Sequence, residues 1–202
     1  SEMCIRDRGN ILMTKFEKVS RFKDEDIKMP ARATANAAGY DMAAAEDVLI
    51  PPYYQSVTEM CKNGYTENSI FTLDAMKKMT DKPGARPILI STGVKCKLPM
   101  DKYLELSVRS STPLKYWLIL ANGVGIIDAD YYDCEANEGE IFFQLINLSP
   151  YPIQIKKGDI IGQGIIKKYY KTSDDTQFNK TRAGGFGSTD DVAVSPALIS
   201  AT

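Results

Sequence analysis

From Phe16 to Tyr170 the chain is a run of short β-type segments, each closed by Gly, Pro, Asn or Asp. That rhythm points to an all-β barrel or sandwich. Residues 102–109 show it most clearly: Leu104, Leu106 and Val108 alternate with Tyr103, Glu105 and Ser107, so one face is core and the other wet. Similar segments lie at 87–92, 94–98, 117–120, 140–147, 152–155 and 160–169, and their short connections imply antiparallel pairing. One helix is predicted at 72–80, where Thr72 can cap the start, Leu73, Met76 and Lys77 share a face, and Pro83-Gly84 lies beyond the end. It falls within 54–86, which breaks the strand rhythm and reads as an insertion on the barrel, too short for a core of its own. Residues 1–12 fit no pattern and precede Met13, so they read as a non-native or disordered extension. The β domain is then 13–170, followed by a C-terminal arm at 171–202 that is polar and glycine-rich as far as Asp190.

Composition removes several kinds of chemistry. The chain contains no histidine, which excludes imidazole acid/base catalysis, His-activated nucleophiles and His-ligated zinc. Cys4, Cys61, Cys96 and Cys134 are widely spaced with no CxxC pair, so they read as free thiols in a reducing cytosol. A formal net charge of -1 gives no bulk attraction to nucleic acid or anionic lipid, and any phosphate binding must be local. No apolar run approaches a membrane span, and a cytoplasmic location is expected.

Chemistry concentrates in five short stretches. Ala38-Gly39-Tyr40-Asp41-Met42 is a glycine turn entering a strand, and Asp41 can cap the turn or support a site. At Val108-Arg109-Ser110-Ser111 a guanidinium fork and two hydroxyls leave a core strand; they can clamp phosphate oxygens or simply meet solvent. Between Asn122 and Tyr131, read as one β-hairpin, an amide, Gly123, Gly125, Asp128, Asp130 and an aromatic ring fall within ten residues. An amide reads a base edge and glycines admit a ligand to the backbone; Asp128 and Asp130 are placed on one side of a strand with Tyr131 opposing them. A solvated turn is the alternative. Gln163 is an amide within the apolar strand at 160–169, and such a group needs a partner. Arg182-Ala183-Gly184-Gly185-Phe186-Gly187-Ser188-Thr189 combines an anion-binding nest with a ring able to stack on a base, and a plain tail is the other reading.

In sequence order, these stretches resemble the dUTPase family of trimeric all-β dUTP nucleotidohydrolases, and are similar to its bacterial or bacteriophage members. The resemblance covers about 28–189 apart from the insertion. It implies a distorted β-barrel or jelly-roll-like fold with one short helix in the insertion, and hydrolysis of dUTP to dUMP and pyrophosphate, which limits uracil in DNA and supplies dUMP for thymidylate synthesis. Asn122 and the backbone near Gly125 and Ile127 would read uracil, Tyr131 would lie under the deoxyribose, and Asp128 would activate water. Arg109, Ser110, Ser111 and Gln163 would hold phosphates. Asp41 and Asp130 would be supports. Arg182, Phe186, Gly187, Ser188 and Thr189 would close over the ligand, usually from a neighbouring subunit of a homotrimer with shared sites. Mg²⁺ would arrive on the triphosphate, with no protein ligand set. Neither a nucleic-acid nor a membrane partner is implied.

Three departures accompany the resemblance. Residues 132–138 lengthen the loop after Tyr131, Arg182 stands one residue closer to its glycine pair than is commonest, and the insertion has no counterpart in compact members. That insertion would pack outside the trimer, cover the site or bind a protein partner. A dCTP deaminase and a nucleotide-sensing protein on the same scaffold are the competing functions.

Overall fold

In the computed structural model, which describes residues 14–62, 72–80, 86–175 and 185, the alternation at 102–109 becomes a strand with Leu104 and Leu106 buried and the residues between them partly accessible. The described strands in chain order are β1 (Lys15–Lys18), β2 (Tyr40–Ala43), β3 (Val48–Ile50), β4 (Ile88–Ser91), β5 (Val94–Lys97), β6 (Lys102–Ser107), β7 (Leu118–Leu120), β8 (Gly125–Asp128), β9 (Phe142–Asn147), β10 (Ile153–Ile155) and β11 (Ile160–Lys168). All paired strands are antiparallel. They form sheets ordered β2-β11-β6-β8, β4-β9-β7, β1-β5 and β10-β3. The result is a distorted jelly-roll-like all-β fold made of several small sheets, with no closed barrel among the described residues.

The core lies between the two larger sheets and includes Met42, Ile90, Leu104, Ile141, Phe143 and Ile161. Burying a side chain such as Phe143 contributes about 1.5–3 kcal/mol relative to exposure. β11 passes so close to this ring that a Cβ on Gly162 would lie 2.1 Å from Phe143 Cε1 and 2.7 Å from the Ser107 carbonyl oxygen. Only glycine permits that approach. It sets the height of Gln163, the next residue, opposite Ser107 on β6 and Asp41 on β2. Cys96 belongs to the same core, where burial pushes its thiol up to about 12.

Three short helices are described: α1 (Tyr53–Cys61), α2 (Leu73–Thr80) and α3 (Ser111–Tyr116). α2 is the helix predicted from sequence, and the Thr72 hydroxyl accepts the Ala75 amide at 3.2 Å as a cap. The expectation of a single helix in the insertion is corrected by α1, and α3 lies outside the insertion altogether. α1 carries Tyr53, Tyr54, Val57 and Thr58, residue types that favour strands. The helix forms against that preference: the Tyr54 hydroxyl donates to the Pro150 carbonyl at 3.3 Å, and Tyr53 and Val57, each nearly half exposed, line a cleft of about 250 Å³ with Ile146 and Leu148. Among the described residues no helix is long and apolar enough to cross a membrane.

Candidate active site

The segment from Asn122 to Tyr131 is not the hairpin expected from sequence. β7 pairs with β9 and β8 pairs with β6, so residues 121–124 carry the chain from one sheet to the other. Gly123 turns there at φ +68°. The Gly123 amide donates to the Leu120 carbonyl at 3.0 Å, and the Val124 amide donates to the Asn122 carbonyl at 2.7 Å. Each strand finds its own core: Leu118 and Leu120 are buried on the β4-β9 side, while Gly125 lies against Leu106. A second correction concerns the acidic pair. β8 ends at Asp128 and a 3-10 turn follows over Ala129–Tyr131, so Asp130 is an exposed residue of that turn rather than a strand neighbour of Asp128.

The crossover opens a cleft of about 180 Å³, lined by Asn122, Gly125, Ile127, Tyr131, Gln144 and Gly185 among others. Four residues assigned to nucleoside binding from sequence therefore meet in one place, and a residue of the glycine-rich segment joins them. Gly185 sits on the Tyr131 ring, where a Cβ would lie 2.9 Å from Tyr131 Cε2. Tyr131 is buried to 4% exposure. Its hydroxyl donates to the Glu140 carbonyl at 3.0 Å and accepts from Asn137 Nδ2 at 2.6 Å.

Glu140 lines the same cleft and its carboxylate is buried. It accepts from Arg21 Nε at 3.1 Å and Nη2 at 2.9 Å, from the Gly93 amide at 3.2 Å and from the Ser91 hydroxyl. The bidentate guanidinium compensates the desolvation of a buried charge. Burial works against the Arg21 charge, but hydrogen bonding and attraction from Glu140 raise its pKa. Sequence reasoning missed both Glu140 and Asn137. A carboxylate opening an apolar strand at 140–147 was an available signal for the first, whereas Asn137 resembles any polar loop residue.

A second group forms at the other side of the four-stranded sheet. Gln163 is the register partner of both Asp41 and Ser107, and its Nε2 donates to the Ser107 hydroxyl at 3.3 Å. Arg109 Nε stands 3.5 Å from Asp41 Oδ1. Asp41, Arg109 and Gln163, far apart in sequence, are thus brought together. Arg109 and Ser111 also line a cleft of about 340 Å³, and Ser110 precedes α3 as an exposed cap position.

The two groups do not meet within one chain. Ser107 adjoins Leu106 on β6, so its side chain projects from the opposite face, and the two clefts share no lining residue. Asp128 is the register partner of Tyr103, four positions along β6 from Ser107, roughly 13 Å at strand rise. Arg182, Phe186, Gly187, Ser188 and Thr189 lie outside the described residues, as do 1–12. Among the described residues, no three His, Cys, Asp or Glu side chains are grouped to hold a metal ion.

Comparison with known proteins bears on the family of the chain. The dUTPase family model matches residues 56–190. The deoxyuridine 5'-triphosphate nucleotidohydrolase of Lactococcus lactis is 33% identical over 175 residues, covering 86% of this chain and 95% of that protein. The enzyme of the same name from Desulfitobacterium hafniense is 32% identical over 83% of this chain and 90% of its own length. Among solved structures, a dUTPase from Streptococcus mutans superposes with a TM-score of 0.59 at 31% identity, over 78% of this chain and 97% of that one. A dUTPase from phage phi11 of S. aureus shares the fold, with a TM-score of 0.54 at 18% identity over 82% and 99% of the two chains. A family match over well over half the chain, and relatives above 30% identity over most of their own length, establish that the chain belongs to the dUTPase family.

Proposed function

We propose that this protein hydrolyses dUTP to dUMP and pyrophosphate in a site shared between copies of the chain. The observation that carries the reading is the cleft where Asn122, Gly125, Ile127 and Tyr131 converge beside Gly185. The cleft-lining backbone at Gly125 and the Asn122 amide suit the donor and acceptor edge of uracil, and the Tyr131 ring offers a flat wall to a sugar that lacks a 2′-hydroxyl. Leu106 and Leu120 make the floor apolar, which suits the faces of a base. The relatives share this substrate by name, and one structural neighbour, a Staphylococcus bacteriophage 80alpha dUTPase, was solved with dUpNHpp.

In the proposed reaction Asp128 takes a proton from water as its oxygen bonds to the α-phosphorus, and the bond from that phosphorus to the bridging oxygen of the leaving pyrophosphate breaks. Arg109, Ser110, Ser111 and Gln163 hold phosphate oxygens, with Asp41 orienting Arg109 and Asp130 a support. Arg182, Phe186, Gly187, Ser188 and Thr189 close the site. Arg109 is a donor only and the hydroxyls are neutral, a set that fits a triphosphate already carrying Mg²⁺. The bound ion supplies neutralisation of phosphate charge, and phosphate and water oxygens provide its preferred ligands. A phage phi11 relative has a structural Mg(II) by its own description.

Because the nucleoside cleft and the phosphate group face opposite ways in one chain, a homotrimer that joins the cleft of one copy to the phosphate group of the next resolves the separation. In the cell such activity limits uracil in DNA and supplies dUMP for thymidylate synthesis. The bacterial and phage relatives favour a cytoplasmic setting.

A substrate panel tests the assignment. With Mg²⁺ the full chain releases pyrophosphate from dUTP, while UTP and dTTP are poor substrates. Equal turnover of UTP contradicts the sugar assignment. Ammonia release from dCTP identifies a deaminase instead, and tight dUTP binding with negligible turnover identifies a sensing protein.

A further inference from the structure

The loop at 132–138 is the main departure of the site from the family pattern, and it is firmly built. The Glu138 amide donates to the Cys134 carbonyl at 2.9 Å, the Cys134 amide to the Tyr131 carbonyl at 3.2 Å, and the Asp133 amide to the Glu138 carbonyl at 3.1 Å. Asp133, Glu138 and Gly139 all have left-handed φ, at +59°, +59° and +77°. A Cβ on Gly139 would lie 2.3 Å from the Tyr131 carbonyl oxygen, so the loop returns directly under the tyrosine. Its outer side is anchored to β5 and β1: Lys95 pairs with Asp133 and lies 3.7 Å from Glu138, the Tyr132 hydroxyl donates to Glu17, and Glu138 accepts from the Ser20 hydroxyl at 2.9 Å.

The inner side converges on Asn137. Its Oδ1 accepts from the Gly139 amide at 3.1 Å and from the Cys134 thiol at 3.1 Å, which fixes the amide orientation and turns Nδ2 towards Tyr131. Nδ2 donates to Tyr131 Oη at 2.6 Å, and Tyr131 Oη donates its only proton to the Glu140 carbonyl. The Glu140 residue is itself held by Arg21, Ser91 and Gly93. The phenol is thus pinned from both sides.

We infer that Asn137 is a positioning residue that sets the discrimination between deoxyribo- and ribonucleotides, by fixing the Tyr131 ring against the sugar. The inference rests on the proposed dUTP site. The loop takes over the placement of the sugar wall, and the amide must be Asn because one end accepts from the loop while the other donates to the phenol.

Asn137→Asp tests this, because a carboxylate still accepts from Gly139 and Cys134 but cannot donate to Tyr131, whose single proton then faces two acceptors. The expected result is a five- to tenfold fall in the ratio of kcat/KM for dUTP to that for UTP, the scale of one lost hydrogen bond. It arises in KM for UTP, with kcat for dUTP within about twofold of the unmutated protein. Asn137→Ala gives a similar fall, and in a Tyr131→Phe background Asn137→Asp adds nothing further. Unchanged discrimination in Asn137→Asp, or an equal effect in the Tyr131→Phe background, overturns the inference. Calorimetric binding of dUTP and UTP supplies the same ratio without turnover. If the unmutated protein separates the two nucleotides in neither assay, the proposed function itself has failed, and the inference falls with it.

Discussion

Asp128→Asn is expected to lower kcat for dUTP by about 10²–10⁴-fold, the usual scale for losing a positioned general base. The dUTP dissociation constant should stay within a few-fold. The amide has nearly the shape of the carboxylate but cannot accept the proton of the attacking water. Position favours a clean result: Asp128 ends β8 as the partner of Tyr103 and is only partly buried, so the substitution leaves the Leu106 to Gly125 contact and the cleft floor untouched. Single-turnover kinetics read the chemical step, and calorimetry with a non-hydrolysable analogue reads binding. Turnover near the unmutated rate would place the base elsewhere.

Arg21→Ala is expected to cost about 3 kcal/mol of stability, because it strips the bidentate partner from a buried carboxylate. Glu140 has 5% of its side-chain surface exposed whereas Arg21 has 47%. The loss therefore lies at the low end for a broken buried pair, since water reaches the guanidinium side. For a chain of this length that corresponds to a fall of roughly 6–12 °C in melting temperature. Arg21→Ala combined with Glu140→Gln should recover part of the loss, since a neutral amide tolerates burial better than an unpaired charge. Thermal unfolding at fixed protein concentration measures both. A shift below about 2 °C for Arg21→Ala would mean that Ser91 and the Gly93 amide alone satisfy Glu140.

What could be read before the fold was known depended on the range of the interactions. Strand alternation at 102–109 and the Thr72 cap are local, and both are realised with boundaries shifted by a residue or two. The pairing of β7 and β8 is not local. A glycine turn between two apolar segments looks the same whether the strands pair with each other or, as here, each joins a different sheet through β9 and β6. α1 was hidden because Tyr53, Tyr54, Val57 and Thr58 carry strand preferences, whereas its place beside the cleft with β9 and the Tyr54 bond to Pro150 are not local. The site behaved likewise. Asn122, Gly125 and Tyr131 announce themselves by residue type, whereas Asn137 and Glu140 act through partners supplied by the fold, Tyr131 for the first and Arg21 for the second.

The separation of the nucleoside cleft from Asp41, Arg109 and Gln163 within one chain makes sharing between copies the central claim, and subunit mixing tests it directly. Arg109→Ala disables the phosphate group and Asp128→Asn removes the proposed base from β8, the strand whose Gly125 and Ile127 line the cleft, so each variant alone is nearly inactive. Co-expressed in equal amounts, the two should regain about a quarter of the unmutated activity, since random assembly pairs an intact phosphate group with an intact cleft at one site in four. Mixed assemblies no more active than either variant alone would contradict sharing and place the whole site within a single chain.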